Sequence, residues 1–321
     1  MVTQTGVSIV LPVRNGARFL ENSIRSISGF AREFDEIVAI DDGSTDFTPK
    51  ILEGWARTDT RVKIVKSGGV GLAESLNLAL TIAKHNWIAR ADVDDTYSSE
   101  RLTQQIKLIG PSVVAIFSDY NIVSASGRLY GRIPTAIFPL PVKLSLIGGS
   151  RTPHPIVLMN RTAAISAGGY LTSEFPAEDL GLWVRMQDFG SLVSSPESLL
   201  NYLVSNDSVT STKRTSSIEQ KRKILKNFRM SEREIQIFSD EFKEYIKSYK
   251  KLSSGYERIV LLYRDILSYN LRFEKTFSLM AIFDPVILNP KMIIATTKLL
   301  YGFALRRIMR LLGNIEFRSQ A

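Results

Sequence analysis

The chain contains no cysteine among its 321 residues. Disulfides, thiolate metal sites and a cysteine nucleophile are therefore excluded, and nothing argues for an oxidising compartment. Histidine is almost as scarce, with only His85 and His154. No G-x-G-x-x-G follows the first apolar run, where Pro12, Val13, Arg14, Asn15 and Gly16 stand instead; this excludes a nicotinamide-dinucleotide site. G-x-x-x-x-G-K-[ST] is also missing, which excludes P-loop chemistry. The opening "MVTQTGVSIVLPVRNG" lacks the basic, apolar and small-residue succession of a secretory signal, so the expected location is the cytoplasm. Internal repeats and low-complexity tracts are absent.

What is present reads as an ordinary globular protein, with 44% hydrophobic and 23% charged residues. The length suits one large domain with a smaller appended one. Charge divides the chain. Residues 1–212 hold 19 Lys+Arg against 21 Asp+Glu, a net of −2, and residues 213–321 hold 22 against 11, a net of +11. The polar stretch "SNDSVTSTKRTSS" (205–217) marks the boundary, giving a domain over 1–212 and a basic helical region over 213–321.

In the first part, short β-branched runs alternate with amphipathic segments. The runs are 7–13, 36–42, 61–67, 87–92 and 112–120; the segments are 17–27, 48–57, 71–83 and 99–109. Thr48 followed by Pro49 predicts a helix start with a capping hydroxyl. Repeated βα units predict an α/β fold, a mostly parallel sheet flanked by helices, with ligands beyond the carboxyl ends of the strands.

Those ends carry "PVRNG", "DDGSTD" and "ADVDD". Acidic residues crowded at adjacent strand ends repel one another unless a cation or hydrogen-bond donors are shared among them. Hard oxygen ligands suit Mg²⁺ or Mn²⁺, held by one or two carboxylates plus substrate phosphates. The alternative for "ADVDD" alone is a solvated, helix-capping turn. Gly68, Gly69 and Gly71 read as a tight turn in preference to a phosphate cradle.

Five segments together resemble the inverting family 2 glycosyltransferases of the GT-A fold: "VSIVLPVRNGARFLENSIRSI" (7–27), "EIVAIDDGSTDFTPKIL" (36–52), "GLAESLNLAL" (71–80), "WIARADVDD" (87–95) and "AEDLGLWVRM" (177–186). The resemblance covers roughly residues 6–205. It implies that Asp42 reads the nucleobase edge, with Pro12 and Arg14 lining the same pocket. Asp92 and Asp94 take the places of the D-x-D carboxylates, Asp94 on the metal and Asp92 toward the ribose or a metal-bound water. Asp92 and His154 are further candidates for the metal or diphosphate. Asp179 corresponds to the catalytic base that takes the acceptor proton, with Glu178 beside it orienting the acceptor or capping the helix.

The implied function is a metal-dependent transfer from a nucleotide-diphosphate sugar, UDP-sugar being the favoured class, to a glycan or lipid-linked acceptor in cell-surface polysaccharide synthesis. Where relatives carry Arg and His, this chain has Leu203 and Ser205, which leaves Lys213 or Arg214 to replace those phosphate contacts. Q-x-x-R-W is absent, so single-residue transfer is expected. Two alternatives are weaker. A sugar-phosphate nucleotidyltransferase should open with G-x-G-x-R, and a non-catalytic module should lose Asp94 or Asp179. Trp87, Trp183 and Met186 are expected in the core, and His85 at an exposed turn.

The basic C-terminal region carries no nucleic-acid motif, so no nucleic acid is expected. In 289–314, Ile293, Ile294, Leu300, Tyr301, Ala304, Leu305, Ile308, Leu311 and Leu312 share one arc of a helix, opposite Lys291, Lys298, Arg306, Arg307 and Arg310. Charges interrupt the apolar run before the roughly 20 residues of a membrane span. Such a helix suits peripheral contact with an anionic cytoplasmic leaflet; the alternative is that the arc packs on the catalytic domain or in a homodimer.

Overall fold

A computed structural model describes residues 5–133, 135, 152–203 and 214–226. The chain divides into compact units Met1–Ser248 and Tyr249–Ala321, and all described residues belong to the first. The basic arc of 289–314 and Ser205 and Lys213 lie outside the described residues, as does the side chain of Arg214.

The first half follows the βα alternation. Strands β1 (Val7–Val13), β2 (Glu36–Asp41), β3 (Val62–Lys66) and β4 (Trp87–Arg90) line up in parallel as β3-β2-β1-β4. Every residue of β1 and β4 is buried, as expected of strands covered on both faces. Helices α1 (Ala17–Phe30), α2 (Thr48–Thr58) and α3 (Leu72–Ile82) make the crossovers. Each buries a stripe at helical spacing, such as Leu20, Ser23, Ile27 and Phe30 of α1.

The second half is mixed. After the two-residue β5 (Thr96–Tyr97) and α4 (Arg101–Ile106), β6 (Val113–Val123) runs out to a hairpin with β7 (Leu129–Ile133). Strand β8 (Leu158–Asn160) inserts antiparallel between β4 and β6, and β9 (Ser191–Leu203) pairs parallel to β6 and antiparallel to β5. Helices α5 (Arg161–Ser166) and α6 (Glu178–Met186) lie between β8 and β9, and α7 (Arg214–Lys226) packs on α6. Trp183, fully buried, meets Phe117 of β6 edge-on at 5.3 Å, which seats α6 on the sheet.

Two expectations are corrected. Thr48 does not cap α2: Phe47 occupies the cap position, and the Thr48 hydroxyl accepts the Gly16 N–H at 2.9 Å. Asp46 supplies the anion at the helix start, accepting the Thr48 N–H at 2.9 Å and the Ala17 N–H at 3.1 Å. His85 is half-buried in place of exposed, its ring so close to Gly6 that a Cβ there would lie 2.3 Å from Cε1. Trp87, Trp183 and Met186 are in the core.

Candidate active site

Parallel order puts the carboxyl ends of β1, β2 and β4 side by side, and the polar residues that follow them converge there. Pro12 is buried near the end of β1, in register with Ile40, and Arg14 follows it, exposed. The Asp42 N–H donates to Val13 O at 2.9 Å, which sets Asp42 beside them. Its oxygens accept the Ser67 hydroxyl at 2.7 Å and the Gly71 N–H at 3.0 Å. Burial alone would raise this carboxyl, but the hydrogen bonds outweigh it and hold Asp42 below its ordinary range, an anion at neutral pH. With several lone pairs left on its two oxygens, it can still accept an N–H from a ligand.

The glycines after β3 shape the loop that meets Asp42. Gly68, Gly69 and Gly71 all have positive φ, and the Gly71 N–H is spent on Asp42, so the tight-turn reading fits the geometry. Gly43, at φ 75°, passes so close to this turn that a Cβ would lie 3.1 Å from Gly69 N. Asn15 clamps the loop after β2: its N–H donates to Ser44 Oγ at 2.9 Å, and its Oδ1 accepts the Thr45 N–H at 2.8 Å.

At the end of β4 stand Asp92, Asp94 and Asp95, each able to offer one carboxylate oxygen within 4.8 Å of the others. They are not equivalent. Asp95 is buried, and its Oδ1 accepts the Leu203 N–H at 2.8 Å, tying the end of β9 to the cluster. Burial and the two neighbouring aspartates push its carboxyl well up, toward the neutral form. Asp94 is raised to about 6 by burial and by Asp92. Asp92 is balanced by Arg90, whose guanidinium reaches it at 2.5 Å from a fully buried position and also bonds Ala91 O. The Asp92 N–H donates to Tyr97 Oη at 2.7 Å.

Arg90, Arg101 and Arg18 all act on this cluster, yet burial and neighbouring aspartate charge still raise Asp94 and Asp95, a strain that a divalent ion would relieve. Asp95 is committed to Leu203. Asp92 and Asp94 are therefore the pair that fits a metal, and their hard oxygen donors suit Mg²⁺ or Mn²⁺.

Glu178 and Asp179 form the first turn of α6, whose cap residue, Ala177, contributes no side-chain bond. Asp179 is partly exposed and its Oδ1 accepts the Leu180 N–H at 2.7 Å. Burial raises its carboxyl, and Lys221 of α7 opposes that rise. Glu178 is buried, and its Oε2 has no hydrogen-bond partner among the described residues. Burial, and Asp179 beside it, push Glu178 up to about 7. The two carboxyls are close enough to titrate as a pair. Arg90 and Asp92 act electrostatically on Glu178, and Asp92 on Asp179, so the acidic turn of α6 lies within reach of the charges that end β4.

His154 packs against Tyr170 and Trp183. Its Nε2 lies 2.9 Å from Tyr170 Oη, and its ring meets Trp183 edge-on at 5.9 Å. Burial and the Arg90 charge hold it well below the ordinary range, neutral at pH 7. It is outside the group of three aspartates. Tyr170 is itself gripped by Asn77, which exchanges both amide atoms with the Tyr170 backbone at 2.8 Å each.

Sequence reasoning missed three residues of this arrangement: Arg90, Tyr170 and Lys221. Arg90 carried a signal, because an arginine inside an otherwise apolar buried strand needs a counter-charge.

Residues 8–152 match the sequence model of "Glycosyl transferase family 2". The Bacillus subtilis glycosyltransferase TuaG, whose name assigns it to teichuronic acid biosynthesis, is 25% identical over 214 residues, covering 64% of this chain and 82% of TuaG. Among solved structures, the Pyrobaculum calidifontis mannosyltransferase PcManGT, in complex with GDP-Man and Mn²⁺, superposes with a TM-score of 0.59 at 17% identity, over 83% of this chain and 81% of that one. Residues 1–349 of S. aureus TarS, in complex with UDP-GlcNAc, superpose with a TM-score of 0.57 at 18% identity, over 84% and 80%.

Proposed function

The chain is a family 2 glycosyltransferase with the GT-A fold, and from that premise we propose that it moves one sugar from a nucleoside-diphosphate donor to a hydroxyl of a glycan or lipid-linked acceptor, with inversion and with a divalent cation. The observation that carries this reading is the cluster of Asp92, Asp94 and Asp95 after β4, whose charge reaches Glu178 and Asp179 in the first turn of α6. Asp42, with Pro12 and Arg14, receives the nucleoside. PcManGT and TarS hold different nucleotides on the same fold; UDP is our reading for this chain. The name of TuaG supports cell-surface polysaccharide as the product class.

A Mg²⁺ or Mn²⁺ held by Asp94 and Asp92 would neutralise charge on the departing diphosphate. Arg90 fixes Asp92 through their ion pair, and Asp95 anchors the edge through Leu203. Asp179 takes the proton from the acceptor hydroxyl as its oxygen bonds to the anomeric carbon and the bond from that carbon to the diphosphate breaks. Attack from the face opposite the leaving group inverts the centre.

The test is thermal unfolding of the full chain against a panel of nucleotide sugars with and without Mn²⁺. A donor at a hundredfold its Kd should stabilise by about 2.7 kcal/mol, and UDP-sugars should do so only with the metal. A panel with no stabilising member, or equal stabilisation after chelation, would overturn the reading.

No helix among the described residues is long and apolar enough to cross a membrane. The segment 289–314 is proposed to lie on an anionic leaflet, where a lipid-linked acceptor would be presented. In flotation, the full chain should rise with anionic vesicles at low salt and lose that binding when truncated before Asn289. Unchanged binding of the truncated chain would assign the contact elsewhere.

A further inference from the structure

The stretch that carries all three aspartates closes on itself. At the end of β4 the Ala91 N–H still donates to Val10 O of β1 at 2.8 Å. The next N–H, that of Asp92, donates to the phenol oxygen of Tyr97 at 2.7 Å and not to a strand carbonyl. Residues 92–97 thereby form a loop whose neck is one bond between a side chain and a main-chain N–H, and Asp92, Asp94 and Asp95 all lie on it.

The phenol is held from several sides. Tyr97 is 7% exposed. Ser26 Oγ of α1 accepts the Tyr97 N–H at 2.6 Å and donates to Tyr97 O at 3.3 Å, and Tyr97 pairs with Leu200 of β9. Its ring meets Phe30 of α1 edge-on at 5.5 Å, and the guanidinium of the fully buried Arg101 of α4 lies 4.5 Å from its centroid. Arg101 Nη2 also donates to Arg90 O at 2.7 Å. Two consecutive peptides at the end of β4 are thus gripped by one buried assembly, Arg101 on the Arg90 carbonyl and Tyr97 on the Asp92 N–H. Packing on Phe30 and Arg101 asks only for an aromatic ring, and a buried hydroxyl is costly unless it is bonded. The bond to Asp92 is what tyrosine adds at this position.

We infer that Tyr97 is a positioning residue for the divalent ion: its phenol fixes the main chain of Asp92, and with it the spacing of the Asp92 and Asp94 carboxylates. The inference rests on the reading of that pair as the metal site. Residues 91–95 belong to no helix or strand, so no regular ladder sets their geometry, whereas Mg²⁺ demands near-ideal octahedral placement of its ligands. The closed neck, with the Asp95 bond to Leu203 on the far side, orders the loop before an ion arrives and so lowers the cost of binding it.

Tyr97→Phe in the full chain tests this, since it keeps the ring, the Phe30 contact and the Arg101 stack and removes only the acceptor. Mn²⁺ bound in the presence of UDP is counted from the electron paramagnetic resonance of the free ion. Its affinity should fall about three- to tenfold, as expected for one lost hydrogen bond. The Mn²⁺ concentration that half-saturates turnover of the panel donor should rise by the same factor, with the maximal rate recovering at high Mn²⁺. Without metal, the Asp92 amide should exchange its hydrogen faster in the variant. Phe30→Leu, which loosens the same core and leaves the phenol in place, should keep the original Mn²⁺ affinity. Unchanged Mn²⁺ affinity in Tyr97→Phe overturns the inference even where the Asp92 amide exchanges faster, because the bond is then structural only; an equal loss in Phe30→Leu overturns it too. An unmodified chain that holds no Mn²⁺ with UDP would instead overturn the metal reading, and the inference with it.

Discussion

Asparagine at position 179 should lower turnover by about 10²–10⁴-fold, the usual loss on removing a positioned proton acceptor, while the affinity for nucleoside diphosphate and Mn²⁺ stays near that of the unmodified chain. The side chain keeps its shape, and its Oδ1 can still accept the Leu180 N–H, so α6 should remain folded. What is lost is the ability to receive a proton. The pH dependence of turnover follows from the same environment. The Asp179 carboxyl is raised by burial, and Glu178 beside it is raised to about 7. The acidic limb of the profile should therefore lie above the ordinary carboxylate range, with activity falling as pH drops through the midpoints of the pair. Glu178→Gln separates the two, leaving one titration in the limb. Nucleoside diphosphate release from the panel donor measures all three; an equal loss of donor affinity in Asp179→Asn would place Asp179 in the donor site.

The part of the fold that was legible in the sequence is the part where each strand carries its own signal. Strands β1 to β4 are short runs of β-branched and apolar residues bounded by turns, and their helices show clean apolar stripes, so local pattern and tertiary position agree. Strand β9, "SLVSSPESLLNYL", carries serines, a proline and a glutamate where an apolar strand would be expected. It pairs because β6 offers a long parallel ladder, and register shifts around Asp119 absorb the misfit. Strands β5 and β8, of two and three residues, are too short for any period to register and exist only because a neighbouring edge completes them.

In the site, the acidic residues were legible because charges at the ends of buried strands have few other reasons to be there. Their inequality was not. That Asp95 is tied to Leu203 while Asp92 answers to Arg90 depends on which way side chains turn at the end of β4, and on β9 arriving from far along the chain. Thr48 misled because a hydroxyl before a proline is a good cap in isolation, whereas the Gly16 N–H competes for it across the sheet edge.

That inequality among the three aspartates makes the second large prediction specific. Asp94→Asn should cut donor turnover by several kcal/mol of barrier, on the order of 10²–10³-fold, and should abolish the Mn²⁺-dependent part of nucleoside diphosphate binding. Burial and the Asp92 charge raise Asp94 to about 6 against the opposing pull of Arg90 and Arg18, so a bound ion would relieve it directly. Asp95→Asn should do far less. Its Oδ1 accepts the Leu203 N–H, which an amide oxygen can also accept, and its buried carboxyl is already held toward the neutral form that asparagine imitates. Isothermal titration of UDP into each variant, with Mn²⁺ and after chelation, reads the difference without an acceptor. Metal-independent turnover at the full rate in Asp94→Asn would remove the ion from this edge, and an equal collapse in Asp95→Asn would make the cluster a structural unit and not a binding pair.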